Sequence, residues 1–141
     1  MYWGLLGGTA AGAIGLLYLR ALGSLAFLRP LYEQVQQLSL ERVELGGWWL
    51  PALAIFAAPV FEEYIFRGLV YGGLRRSLSP MLAIIASAGI FAIVHPALSA
   101  PPVFAMGAIA AFMYERTRLL LAPMVVHMIY NGIVMSAQSV M

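Results

Sequence analysis

Residues 48–76 read WWLPALAIFAAPVFEEYIFRGLVYGGLRR, an apolar stretch opened by two tryptophans, closed by two arginines and interrupted by Glu62, Glu63 and Arg67. A bilayer-spanning helix needs about 20 mostly apolar residues. Tryptophans suit the headgroup belt, and arginines at the far end fix a membrane side. Glu62 lies fourteen residues past Trp48. At about 1.5 Å per helical residue, that puts the carboxylates roughly 20 Å into the helix. One ionised side chain at the bilayer centre costs about 2.5–3.5 kcal/mol even on insertion scales, so two adjacent ones need partners or a function. Glu63 and Arg67 stand four apart with the acid on the amino-terminal side, the favourable order for an ion pair on one helix face. Successive helical side chains diverge by about 100°, so Glu62 points elsewhere and is expected to be the free carboxylate of a cavity. The alternative for Glu62, Glu63 and Arg67 is a polar helix end at the water interface. The apolar residues on both sides weigh against it.

The rest of the chain agrees with a lipid solvent. Of its 141 residues 62% are hydrophobic and 10% charged, and the mean hydropathy is +0.88. Soluble domains are about 45–50% apolar and about 25% charged. There is no cysteine, which removes disulfides, thiolate nucleophiles and cysteine-ligated metals. The net charge is +2, and all eight basic residues are arginines. No basic cluster with interleaved aromatics occurs, so nucleic acid is not an expected partner. The first apolar stretch runs from Met1 towards Leu28 with no basic residue ahead of it, which argues against a cleavable signal peptide.

Outward from the central stretch, apolar helices are expected at about residues 3–28, 81–97, 102–114 and 119–139. Gly4, Gly8 and Gly12 form a small-residue ridge on the first, able to pack within one chain or between two, which leaves oligomeric state open. Residues 31–47, the one polar stretch, carry Leu31, Val35, Leu38 and Val43 near helical spacing and fit an interfacial amphipathic helix. Ser79-Pro80 and the Ala100-Pro101-Pro102 run punctuate the joins. The expected fold is all-α: a polytopic transmembrane helical bundle of four to five membrane helices plus an interfacial helix. Residues 1–47 form an amino-terminal membrane helix and interfacial segment, and 48–141 the core. Alternating helices put Arg75, Arg76, Arg116 and Arg118 on one side, cytoplasmic by the positive-inside rule in a cell inner membrane, with Arg20 and Arg29 on the wrong side for it.

Both histidines are expected inside apolar helices. His95 ends the run GIFAIVH, and His127 is followed four residues later by Asn131, the single asparagine. A buried histidine is as often a packing residue as a catalytic one. Here, however, both histidines, the asparagine and a glutamate pair all fall at membrane depth. They are the parts of a hydrolytic site. Glu62 would take a proton from water and His95 orient that water, while His127 and Asn131 donate hydrogen bonds to the developing oxyanion.

In this order the motifs resemble the CAAX-protease and bacteriocin-processing (CPBP) family of intramembrane endopeptidases, which includes the type II CAAX prenyl protease. The family's Glu-Glu-x-x-x-Arg stands here as Glu62-Glu63-Tyr64-Ile65-Phe66-Arg67, followed by Gly68. Its Phe-x-x-x-His stands as Phe91 to His95, and its His-x-x-x-Asn as His127 to Asn131. Gly107 through Tyr114, closing at Arg116-Thr117, resembles the family's glycine-led helix, and the likeness covers about residues 50–137. The resemblance implies cleavage of a peptide bond in a hydrophobic or lipidated membrane-associated substrate. Glu62 would activate water, His95 assist, and His127 and Asn131 hold the oxyanion, with Glu63, Arg67 and Phe91 supporting. Such enzymes have been described both as metalloproteases and as metal-independent glutamate proteases. The preferred reading requires no cofactor. Were zinc bound, Glu62, His95 and His127 would be its ligands, a Glu/His/His set with an open position. The chain is shorter before its core than larger family members, which bears on substrate choice more than on chemistry. The competing class is a non-enzymatic membrane protein, a proton- or ion-handling bundle or an immunity-type interaction partner, since intramembrane glutamates and histidines also build proton relays.

Overall fold

Six helices follow one another in the computed structural model, which describes residues 2–139, with backbone alone at Ser39 and Arg42. They are α1 (Tyr2–Ser24), α2 (Arg29–Gly46), α3 (Trp49–Leu74), α4 (Pro80–Ile93), α5 (Ala100–Thr117) and α6 (Leu121–Gln138). Among the described residues there is no strand. Three helical spans are long and apolar enough to cross a bilayer: Tyr2–Ser24, Trp49–Leu74 and Ala97–Thr117, the last including a 3₁₀ turn at Ala97–Ser99. The apolar α4 is shorter, at 14 residues, and α6 has 18 residues, His127 and Asn131 among them. Large apolar side chains such as Leu17, Phe56, Leu69 and Ile93 lie on the outside. That is the surface of an integral membrane protein, whose solvent is hydrocarbon.

The glycine ridge of α1 packs within the chain. Gly4, Gly8 and Gly12 face Val125, Ile129 and Ile133 of α6, one four-residue row set against another. A Cβ on Gly8 would come within 2.7 Å of the Ile129 Cβ. Close helix approach in lipid depends on small residues of this kind.

Helix α3 changes register twice, at Leu53–Ala57 and Tyr64–Tyr71, where the backbone winds into π-helix. The first change has a local cause. Pro59 has no N–H, and in an α-helix its ring would press on the carbonyl four residues back. Widening the helix just ahead of the proline relieves that contact, and π-bulges of this kind concentrate at functional sites.

Helix α4 starts on Ser79, whose hydroxyl accepts from the Leu82 N–H at 3.5 Å, with Pro80 in the first turn. It ends at Ile93. The sequence places His95 within a helix extending to about residue 97, whereas the structure puts it in the turn beyond the helix end. Pro96 is the reason, because a residue before proline is held out of the α region.

Candidate active site

The buried polar residues meet where α3, α6 and the end of α4 converge. Glu63 and Arg67 are wholly buried on α3 and paired: Arg67 Nε donates to Glu63 Oε2 at 2.6 Å, and Nη2 to Oε1 at 3.3 Å. This is the ion pair expected from their spacing. A third partner comes from across the bundle, since His127 Nδ1 lies 3.0 Å from Glu63 Oε1. Sequence separation hid that contact. A buried charge pair gains from further polar partners around it, and His127 is one for Glu63.

Glu62 faces away from Arg67, as the helix-face argument requires. Its Oε2 is buried without a hydrogen-bond partner. Two nitrogens face that oxygen at equal distance, His95 Nε2 and His127 Nε2, each 3.8 Å away. That is too long for a direct hydrogen bond, and short enough for one water to join the pair.

The opposite edge of each imidazole is held. His95 Nδ1 sits 2.7 Å from the Phe91 carbonyl oxygen, one of the carbonyls that a helix end leaves without a backbone partner. Tyr18 of α1 steadies the following turn, donating from its hydroxyl to the Leu98 carbonyl at 2.6 Å.

Phe91 is the centre around which these groups are arranged. Its ring is wholly buried, with its centroid 4.7 Å from that of Phe66, 4.5 Å from His95 and 5.6 Å from His127, and the Arg67 guanidinium lies 5.2 Å above it. A cation over an aromatic face is attractive, which gives an environment to Arg67 Nη1, a buried donor with no hydrogen bond. Gly107 of α5 makes room for the ring, since a Cβ there would stand 3.2 Å from Phe91 Cδ1. Phe66 and Phe91 thus pack into the core, while Phe61 is exposed on the outer face of α3.

Asn131 has a role the spacing did not reveal: its Nδ2 donates to the Ala54 carbonyl at 2.8 Å. In the π stretch the Ala58 N–H reaches the Leu53 carbonyl. The next bond in that register, from residue 59 to Ala54, cannot form because residue 59 is proline. The asparagine amide replaces it and ties α6 to α3. A proline inside an apolar helix was the available signal, since it always orphans a carbonyl.

The chemistry of Glu62, His95 and His127 suits zinc, and Nε2 of each histidine lies 3.8 Å from Glu62 Oε2. Among the described residues no three histidine, cysteine or acidic side chains form a metal-holding group.

A second polar cluster lies at the ends of α3 and α5. Glu115 accepts from the Tyr71 hydroxyl at 2.7 Å, from Arg75 Nε and Nη2 at 3.3 Å each, and pairs with Arg118 Nη2 at 2.9 Å. The Glu115 hydrogen bond raises the Arg75 pKa, so this pair stays ionised. Arg118 closes α5 in the left-handed region at φ 58°, its N–H on the Tyr114 carbonyl.

Comparison with known proteins bears on this site. The chain matches the sequence model of the family described as "Type II CAAX prenyl endopeptidase Rce1-like" over residues 44–133, which contains every residue around Glu62 named above except Tyr18. It is 36% identical over 87 residues to the "Membrane-embedded CAAX protease MroQ" of Staphylococcus aureus (strain USA300), covering 57% of this chain and 35% of that protein. It is also 36% identical over 81 residues to the "Putative membrane peptidase YdiL" of Bacillus subtilis (strain 168), covering 57% of this chain and 33% of that one. The match thus spans about a third of the length of these relatives. No solved structure matches.

Proposed function

The chain belongs to the type II CAAX prenyl endopeptidase Rce1-like family, and from that premise we propose that it is an intramembrane endopeptidase in which Glu62 activates the attacking water. The observation that carries this reading is Glu62 Oε2, buried, unpaired and faced at 3.8 Å by Nε2 of both histidines. A water held there gives a proton to Glu62 while its oxygen attacks the scissile carbonyl carbon. His95 orients that water. The second amide hydrogen of Asn131 donates to the oxyanion, and His127 Nε2 takes the water's second proton as the carboxylate forms, donating to that carboxylate until the proton passes to the released amine. The tetrahedral intermediate collapses by breaking the C–N bond as Glu62 returns the proton to the departing amine. Each interaction gains strength from the low dielectric around it.

The substrate in this reading is a hydrophobic or lipidated membrane-associated peptide. The family match and the apolar outer surface of the bundle support it. The reading puts Arg75, Arg76, Arg116 and Arg118 on the cytoplasmic side of the inner membrane. The Arg75–Glu115 and Arg118–Glu115 pairs, which join the ends of α3 and α5, support a common side for them. Water activation in this reading uses no metal.

The test is cleavage of membrane-anchored peptides by the purified protein, wild type against Glu62→Gln. Wild type cleaves and the variant does not; equal cleavage by both would end the assignment of Glu62. Cleavage abolished by a chelator and restored by zinc would overturn the metal-independent reading.

A further inference from the structure

We propose that Glu63 is a positioning residue that acts through His127, fixing the proton of its ring on Nδ1 so that Nε2 faces Glu62 as an acceptor. This rests on the endopeptidase reading for its purpose, though not for its geometry. Arg67 donates to both oxygens of Glu63, at 2.6 and 3.3 Å, and so holds the group as a carboxylate. A carboxylate only accepts, so the 3.0 Å contact with His127 Nδ1 needs a proton on that nitrogen. His95 reaches the same state by another route, because the oxygen 2.7 Å from its Nδ1 is the Phe91 backbone carbonyl, which also only accepts.

Two neutral rings set in this way turn both Nε2 lone pairs towards Glu62 Oε2. Three acceptors then converge with no donor among them. A water is the molecule that satisfies such a set. Its two O–H bonds are drawn to Oε2 and to an Nε2, and its oxygen lone pair is left for the substrate carbonyl. His127 therefore begins the reaction as an acceptor and becomes a donor, to the forming carboxylate, only after Nε2 has taken the water's second proton. The wholly buried Glu63–Arg67 pair, remote from the reacting atoms, sets that order of events.

The substitution Glu63→Gln separates this role from simple packing. Arg67 Nε makes the shorter contact, 2.6 Å against 3.3 Å for Nη2, so the glutamine oxygen keeps the Oε2 position, and its NH₂ gives up the Nη2 contact and turns to His127. An NH₂ there forces Nδ1 to accept and moves the ring proton to Nε2. His95, fixed by a backbone carbonyl, keeps its proton on Nδ1 and serves as the internal control. The chain has only two histidines, so a ¹⁵N-histidine spectrum of the full protein in nanodiscs holds four ring nitrogens. We expect both rings protonated at Nδ1 in wild type at about pH 9, above the ordinary imidazole range. In Glu63→Gln the His127 pair alone should exchange its signals. Activity gives a second readout: kcat falls on the order of 10³-fold or more with KM unchanged, the size of effect that a wrong tautomer has in a serine protease. Wild type that cleaves no peptide would overturn the endopeptidase reading and leave the ring assignment standing. A wild-type His127 protonated on Nε2, or a folded Glu63→Gln protein with an unchanged His127, overturns the proposal itself. If the variant does not fold, the wild-type spectrum alone decides.

Discussion

Glu62 and Glu115 are both carboxylates on membrane helices of one small bundle, and their surroundings differ in one respect. Glu115 is saturated, with Tyr71, Arg75 and Arg118 all directed at its two oxygens. Glu62 keeps Oε2 buried and unpaired although two imidazole nitrogens stand 3.8 Å away. A protein that can close a carboxylate off so fully where α3 and α5 end, yet leaves another open in the middle of α3, bears a cost there that stability does not repay. Buried polar atoms without partners cost about 1–3 kcal/mol each, and such strain collects at reacting centres. Glu63, beside Glu62 in sequence, falls on the saturated side. Adjacency along a helix therefore separates a saturated acid from an open one by the turn of about 100° between them.

The contrast can be broken by experiment, and the largest effect should come from the open carboxylate. Glu62→Gln is expected to lower kcat at least 10²–10⁴-fold, on the order of a lost general base, with no loss of thermal stability. Glu115→Gln should leave cleavage as it is. A pair of variants that behaved alike in the peptide assay would erase the distinction. Next in size is Arg67→Ala, which strands the buried Glu63 charge. Removing one partner of a buried pair costs about 3–5 kcal/mol, to be read as a fall in the midpoint of thermal unfolding in detergent. An unfolding midpoint equal to wild type would show that the pair is solvated.

A smaller effect tests the register of α3. Asn131→Ala should cost about 1–3 kcal/mol because the Ala54 carbonyl loses its donor. In a Pro59→Ala background, where residue 59 regains an N–H, the same change should cost distinctly less. Additive costs in that double-mutant cycle would disconnect the proline from the asparagine. Smallest in reach is Gly8→Ala on α1. Its new Cβ meets Ile129, and overpacking of this kind costs about 1–3 kcal/mol. We expect the unfolding midpoint to fall with kcat per folded molecule unchanged; a change in kcat would mean that α1 reaches the chemistry through α6.

Family comparison and geometry apportion the molecule differently. The matched residues begin at 44, yet α1 lies against α6 along its glycine face and, through Tyr18, holds the turn after His95. The segment outside the match therefore supports α6, which carries His127, and the turn that follows His95. The glycine spacing marked the first contact, whereas Tyr18 gave no sign of the second, because a tyrosine in an apolar helix reads as ordinary lipid-facing or packing material.

What the sequence determined by itself is whatever one helix decides alone. Composition and segment length called for an apolar all-α bundle, the four-residue step paired Glu63 with Arg67, and the 100° step freed Glu62. The four-residue glycine spacing marked a contact face, though not its partner. These follow from a geometry each helix carries in its own backbone. His95 is the place where local reading failed locally: the proline after it ended the helix that apolarity alone would have continued. The tertiary structure decided what joins residues far apart in the chain: His127 on Glu63, Asn131 on Ala54, Tyr18 on Leu98, and two imidazoles at one oxygen. Which ring nitrogen faces which acid is fixed by those long-range contacts, because an imidazole has two unlike edges and only packing chooses between them.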